Sequence, residues 1–399
     1  MTDGALEGLR VLDISTLFAA PQIATVLGDL GADVVKVEPP QGDPLRAMGV
    51  QREGHSLMWA LAARNKRSIT LDLDNEAGNE VLHRLVERAD LLVENFPRAA
   101  LERWHCTYAE LSALNRRLVM VSVSCYGATG PYRDRPGAGT LAEAFGGLTN
   151  MIGEANGPPM LPSVALGDTV TAMAGVIGAL AACYHRDAGG GGGQHVDVSM
   201  YEPILHLLAG TTAAYDPAGP APRRSGSRVS GGVPRNVYRT GDGHWVVVSG
   251  TTDAQVGRLL PLIGRDSPDD RARFGLSAAR LAAADELDGL VAEWIRARDR
   301  DDVIEAFLGA RIPAAPVNDL RDILDDPHVS ERGSLVRVDD AVLGSVTIPA
   351  PTPRLSATPG QIRATGPSLG AHNDEVLGDW LGLEPSEVVE VHASLDMKP

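Results

Sequence analysis

Residues 10–40 read RVLDISTLFAAPQIATVLGDLGADVVKVEPP, and this stretch decides the fold. Arg10–Ser15 is a short, mostly apolar run with the pattern of a buried strand. Pro21–Leu30 places Ile23, Val26, Leu27 and Leu30 at helical spacing, and Gly31 follows where a left-handed cap is expected. Asp33–Glu38 is a second strand, stopped by Pro39-Pro40. The alternation continues with a strand at Ile69–Leu73, a helix at Ala77–Arg88, and strands at Leu91–Asn95 and Leu118–Ser124. Strands alternating with helices of this length define an α/β fold with a doubly wound, mostly parallel sheet.

Beyond the fifth strand the pattern changes. Thr169–His185 is a long helix rich in Ala and Gly, the composition of close helix packing in a core. Gly189–Gly193 then leads into a strand at Gln194–Val198. From Tyr215 to Pro234 the chain is rich in Pro, Gly, Arg and Ser and reads as a linker. A hairpin follows (Asn236–Tyr238, turn Gly241–Gly243, Trp245–Ser249), then helices near 253–263 and 285–309, which together make a small α+β domain. The tail from about 330 holds short strands, a Pro-rich stretch at Ile348–Pro353 and a last helix around Asn373–Leu381.

At 399 residues the chain is long enough for two or three domains and a sizeable core. Lys and Arg number 36 against 52 Asp and Glu, a net charge of −16, which excludes a general nucleic-acid or anionic-membrane binder but not a local basic pocket. Lysine is scarce (Lys36, Lys66 and Lys398), a bias of base composition rather than function. Cys106, Cys125 and Cys183 are odd in number and widely spaced, which fits a reducing cytoplasm better than a disulfide framework. The N-terminus shows no secretory pattern, and the longest apolar run, Val170–Cys183, falls short of the ~20 residues of a membrane span.

The first strand–helix turn, Ser15–Pro21, carries none of the glycines that let a backbone approach a pyrophosphate, so hydride transfer of the usual kind is disfavoured. No Gly-Lys-Ser/Thr follows Gly189–Gly193, no GxSxG elbow appears, and His185, His195 and Asp197 lack metal-ligand spacing. No metal is expected. Asp168, in Leu166-Gly167-Asp168-Thr169, stands directly before the long helix. Its ordinary role there is an N-cap; in the same place a carboxylate stays ionised, and the flanking glycine leaves room for a ligand. Arg64-Asn65-Lys66-Arg67 is the densest basic stretch of the N-terminal region, either a solvated loop or a patch for a multiply charged ligand.

Several strings in order resemble the family III CoA-transferases, the group that contains formyl-CoA transferase and the carnitine-linked transferase. They are GLRVLDIS (8–15), LGDLGADVVKVEPPQGDPLR (27–46), NKRSITLDL (65–73), ADLLVENF (89–96), GAGTLAEAFGG (137–147) and Leu166-Gly167-Asp168. Gln194–Met200, Asp326–His328 and GPSLGAHNDEV (366–376) follow, so the set spans nearly the whole chain. The resemblance implies an interlocked homodimer of chains with a large Rossmann-like domain (1–224 and 330–399) and a small domain (225–329). It implies that Asp168 is a nucleophile, with coenzyme A or acyl-CoA as substrate and no permanently bound cofactor. It places Phe18 and Ala19 against the nucleotide, Leu71, Asp72, Leu73 and Asp74 along the adenine, Asn95 and Phe96 along the pantetheine, and Arg103 at the phosphates. Two departures stand out. Pro39 replaces a phosphate-binding arginine of some relatives, with Arg46 as the nearby substitute, and Ala138 replaces an aromatic, which widens the acyl pocket. Gly231 and Gly232 are the candidate glycine flap of the substrate site.

The expected function is CoA transfer from an acyl-CoA to a free carboxylic acid, with a dicarboxylate such as succinate as donor or acceptor. Arg228 and Arg235 are candidates to pair a distal carboxylate. The alternatives are an α-methylacyl-CoA racemase, a non-catalytic acyl-CoA-binding protein and a nicotinamide oxidoreductase. A racemase needs a second acid/base group, a histidine in the Gly-His-Asp string of racemases, where this chain has Gly137-Ala138-Gly139.

Overall fold

The computed structural model describes residues 4–219, 221–229 and 231–394. They divide into two compact units, one of 4–149, 161–214 and 332–394 and a smaller one formed by 150–160 and the described residues of 215–331. The smaller unit takes in 150–160, a segment that the composition of the linker does not point to.

The larger unit is built on six parallel strands, β1 (Arg10–Asp13), β2 (Asp33–Glu38), β3 (Lys66–Thr70), β4 (Leu91–Glu94), β5 (Val119–Ser124) and β6 (His195–Ser199). Their order across the sheet is β3-β2-β1-β4-β5-β6. Sequential strands run outward to one side and then, from β4, to the other, which is the doubly wound Rossmann arrangement with its switch point between β1 and β4. The four central strands are buried nearly throughout, because helices cover both faces, whereas the edge strand β6 is buried only at Val198 and Ser199.

One face carries α1 (Ala19–Asp29) and, beside it, α3 (Leu166–Ala188); between them in sequence lies the short α2 (Gly139–Phe145). At 23 residues α3 is longer than the apolar run at its centre and, by length and composition alone, long enough to cross a membrane. Here it is a core helix. Ala172, Gly175, Val176 and Ala179 are buried among residues of α1 and the sheet. The approach is closest at Gly175, where a Cβ would lie 2.3 Å from Ile23 Cδ1.

The third strand begins three residues earlier than the apolar pattern indicates, at Lys66, so that two basic side chains lie in a sheet. The reason is ionic. Lys66 Nζ is buried and donates to Asp13 Oδ2 and to the Pro21 carbonyl, both at 2.7 Å. Arg67 binds Asp33, Glu375 and Asp379, and Arg64 binds Asp29. The basic stretch is thus neither a solvated loop nor an anion patch, since each cation is committed to carboxylates of this unit. The helix Asn373–Leu381 returns to the sheet beside β3, with Trp380 donating to Asp33 at 2.8 Å.

The smaller unit is α+β. A three-stranded antiparallel sheet of β7 (Arg235–Arg239), β8 (Trp245–Ser249) and β9 (Ala314–Pro316) has β8 in the middle. Helices Asp253–Leu262, Ala284–Arg296 and Arg300–Gly309 share a core with Val246, Val248, Phe274 and Phe307.

The contact between α1 and α3 gives a test. Replacing Gly175 with Val gains up to about 1 kcal/mol of helix propensity but overpacks a buried contact, at about 1–3 kcal/mol or more for a branched side chain. Gly175→Val should therefore lower the urea midpoint, and a midpoint at or above wild type would show that the two helices are free to move apart.

Candidate active site

The residues that the resemblance implies for CoA follow the carboxyl ends of β1, β3 and β4, the edge where doubly wound sheets bind ligands. Phe18 and Ala19 open α1, with Phe18 packed beside Leu45 and Trp59. The preceding turn is held from two sides. Asn95 accepts the Thr16 N–H and donates to the Thr16 carbonyl, both at 2.9 Å, which clips β1 to β4 across the switch point. Asp43 Oδ1 accepts the Leu17 N–H at 3.2 Å, with Leu17 at φ 67°.

Leu71, Leu73 and Phe96 pack in one apolar cluster, and the Phe96 ring meets Trp104 edge-on at 4.8 Å. Trp104 Nε1 donates to Asp74 Oδ1 at 2.6 Å and Arg103 Nε to the same oxygen at 2.9 Å. Those two donors, Trp104 first, hold the Asp74 carboxyl below its ordinary range. Asp72 Oδ1 accepts the Asp74 N–H and closes this turn. The candidates 71–74, 95–96 and 103 are thus brought together. Arg46, expected to offset Pro39, is bound elsewhere. Its guanidinium donates twice to buried Glu38, at 2.7 Å each, and lies 3.7 Å from the Trp59 ring centroid.

Asp168 is the third residue of α3 rather than its N-cap, which is Ala165. Because α3 is the crossover between β5 and β6, its first turn lies at the carboxyl edge of the sheet, the same edge as the CoA candidates. The connection is tight. A Cβ on Gly137 would strike Cys125, the residue after β5, and a Cβ on Gly139 would lie 2.1 Å from Asp168 Oδ2. Glycine at 139 is therefore what permits the carboxylate to stand against the start of α2, with Ala138 beside it in extended conformation. Asp168 is half-buried and its carboxyl is pushed up, first by burial and then by the negative charge of Glu143; its own backbone N–H opposes the shift. The helix terminus alone predicts the opposite direction. Neither Gly139 nor Glu143 stands out in the sequence, although both lie in the GAGTLAEAFGG string.

Gly231, Gly232, Arg228 and Arg235 belong to the smaller unit. Gly231 has φ 91° with open space around it, whereas Gly232 is pressed against Thr251. Arg228 donates to Asp288 and Asp285, at 2.7 and 2.8 Å, so its charge is neutralised there. Among the described residues no three His, Cys, Asp or Glu stand close enough to hold a metal ion. His195 instead meets Ser122 Oγ at 2.8 Å and stacks on Tyr108.

With this geometry in view, the comparisons with known proteins agree with one another. A model of CoA-transferase family III matches residues 6–373. The chain belongs to that family and is a CoA-transferase. It is 39% identical over 393 residues to the succinyl-CoA–L-malate CoA-transferase beta subunit of Chloroflexus aurantiacus, covering 97% of each chain. It is 38% identical to the succinyl-CoA–D-citramalate CoA-transferase of the same organism, again covering 97% of each. Among solved structures, a CAIB/BAIF family protein from Brucella suis superposes with a TM-score of 0.82 at 30% identity, over 95% of this chain and all of that one.

Beside the site, Glu94 ends β4 and its Oε2 accepts the Phe96 N–H at 2.8 Å. Burial pushes its carboxyl up to about 7, with a smaller push from Asp197. The folded chain therefore holds this proton more tightly than the unfolded chain. The resulting stabilisation is complete below the ordinary glutamate range and is lost as pH rises through about 7. Glu94→Gln, which keeps an acceptor for Phe96, should match wild type near pH 4 and exceed it by about 1–3 kcal/mol above pH 8 in urea unfolding. An equal difference at both pH values would mean that Glu94 is ionised throughout.

Proposed function

We propose that this CoA-transferase moves CoA from a dicarboxylic acyl-CoA, such as succinyl-CoA, to a free carboxylic acid, with Asp168 as the nucleophile. The observation that carries this is the placement of Asp168, a half-buried carboxylate with a raised pKa and no cation partner among the described residues, at the ligand-binding edge against Gly139. A carboxylate so placed is poorly solvated and thus a better nucleophile than one in water. Asp168 attacks the donor thioester carbonyl; the C–S bond breaks, and CoA leaves as thiolate. The thiolate then attacks the aspartyl carbonyl of the mixed anhydride, giving an aspartyl–CoA thioester and the free donor acid. The acceptor carboxylate reverses the two steps. Anhydride and thioester are of comparable energy, so no nucleotide hydrolysis is needed, provided water is kept out.

The CoA would lie along Phe18-Ala19, the 71–74 turn and Asn95-Phe96. Of the two candidate cations, Arg103 suits the phosphates better. Its pair with Asp74 is solvent-exposed on both sides, a bond worth about 0–1 kcal/mol that a phosphate can displace. Freeing Arg46 would strand the Glu38 carboxylate, whose side chain is fully buried, at about 3–5 kcal/mol. The names of the relatives, succinyl-CoA with L-malate or D-citramalate, support a dicarboxylate on both sides of the exchange. Ala138 in place of an aromatic leaves room for the acyl chain, and Gly231-Gly232 is the flap candidate. The absence of a histidine at 138 disfavours the racemase alternative. A cytoplasmic enzyme without a resident cofactor fits this chemistry.

The quaternary state expected from the resemblance, an interlocked homodimer, has a physical counterpart. Met173, Ile177 and Tyr184 form an exposed apolar stripe on one face of α3. A single exposed residue is unremarkable, but a stripe on a core helix is a surface for a second copy. Ile177→Asp should shift the sedimentation coefficient from dimer to monomer or leave the chain unfolded; a folded dimer would rule this face out.

Asp168→Asn should lose at least about a thousandfold in transfer while retaining CoA binding. During turnover of the wild type with succinyl-CoA and an acceptor acid, hydroxylamine or borohydride should modify the peptide containing residue 168. Product formation with an unmodified Asp168 would end the proposal.

A further inference from the structure

The short helix α2 carries one acidic side chain, Glu143, which is 1% exposed. Its Oε1 accepts the Gly167 N–H at 2.7 Å, one residue before Asp168. Its Oε2 is buried and has no hydrogen-bond partner. A buried carboxylate with one bare oxygen is an expensive way to satisfy a single N–H, and a neutral amide would do that as well. What a carboxyl group offers at this place beyond an amide is charge. Glu143 is the charged group that acts on Asp168. The helix Tyr201–Leu207, which packs against both α2 and α3, bears Glu202 and His206, but both are exposed. No Lys, Arg or His among the described residues pairs with Glu143 or Asp168.

We propose that Glu143 is a positioning residue for Asp168 that acts through charge as well as through its hydrogen bond, an inference that rests on Asp168 being the nucleophile. By taking the Gly167 N–H it fixes the first turn of α3, which carries Asp168. By holding negative charge nearby it destabilises the ionised Asp168 relative to the acylated one. In the acylation step an Asp168 carboxylate oxygen bonds to the thioester carbonyl carbon, the C–S bond breaks, and its electron pair leaves on sulfur as CoA thiolate. The negative charge passes from Asp168 to a group that departs, so the repulsion from Glu143 present in the resting enzyme is relieved as the anhydride forms.

The test compares the wild type with Glu143→Gln and Glu143→Leu, using succinyl-CoA as donor. The readouts are the acid limb of kcat/KM and the single-turnover rate of acylation at Asp168, followed by mass of the trapped peptide. Removing the negative charge lowers the Asp168 pKa. The Gln variant should therefore move the acid limb down by about half a pH unit and slow acylation about two- to threefold, with KM for the acyl-CoA unchanged. The Leu variant, which also releases the Gly167 N–H, should lose more than about tenfold in kcat. A Gln variant with the wild-type acid limb and acylation rate overturns the proposal, even if the Leu variant fails to fold. If the wild type itself is never acylated at Asp168, the nucleophile proposal has failed and this one falls with it, an outcome distinct from a normal acylation that is indifferent to residue 143.

Discussion

The larger unit is organised around a buried ionic cluster where β1 ends. Asp13 is fully buried and receives Lys66 at 2.7 Å; Lys36 lies between Asp13 and Asp43, at 3.7 and 3.2 Å, and also donates to the Ser15 carbonyl. Two lysines and two aspartates balance in charge. Burial opposes the ionised Asp13, but Lys36 and Lys66 outweigh it and hold the carboxyl below its ordinary range. Removing one partner would strand an unpaired buried charge, at about 3–5 kcal/mol, so the cluster behaves as a unit. It ties the end of β1 to the interior of β2 and to the first residue of β3, and through Asp43 and the Pro21 carbonyl it fixes the turn that opens α1. The edge on which the CoA candidates stand is thus set from beneath by charge rather than by apolar packing alone.

Above that base, the site is shaped by what is left out. Gly139 lacks the Cβ that would collide with Asp168, and Gly175 lacks the one that would push α3 away from α1. The first turn of α3 stands against α2 at Gly139, and its middle packs against α1 at Gly175, so a glycine permits each contact. The small residues buried along α3 fit the second contact, and its place as the crossover from β5 to β6 brings its first turn to the carboxyl edge.

The parallel sheet was legible because period and punctuation agree. Apolar runs at 10–15, 33–38, 91–95 and 118–124 each end in a residue that breaks them, and each is a strand within one or two residues. The third strand was displaced because apolar periodicity cannot register Lys66, whose ammonium is buried only by virtue of Asp13, more than 50 residues away in sequence. Lysine scarcity looked like mere base composition, yet two of the three lysines lie in this one cluster. In the site, Asp168 stood out because a carboxylate beside a glycine at a helix start is conspicuous. Gly139 and Glu143 did not, because a close approach between α2 and α3 leaves no local pattern. Arg46 and Arg228 read as free cations for the same reason, since their partners Glu38 and Asp288 are fixed by the fold and not by spacing.

Two aspartates of the larger unit, Asp13 and Asp168, show how environment separates structure from chemistry. Asp13 is wholly buried between two ammonium groups, and its carboxyl is held low. Such a carboxylate is a poor nucleophile, since its lone pairs are engaged and any acylation would leave two lysines facing a neutral anhydride. Asp168 is only half-buried, has no cation and faces a second carboxylate, and its carboxyl is raised. In the proposed mechanism Asp168 surrenders its charge to a leaving thiolate and later recovers it, and a counter-ion would be a hindrance there, because every favourable contact with the ionised form deepens the ground state. The chain keeps its cations for the carboxylates that hold the fold and leaves the one beside Gly139 without any. That separation, more than the identity of any single residue, is what supports the proposed reactive role of Asp168.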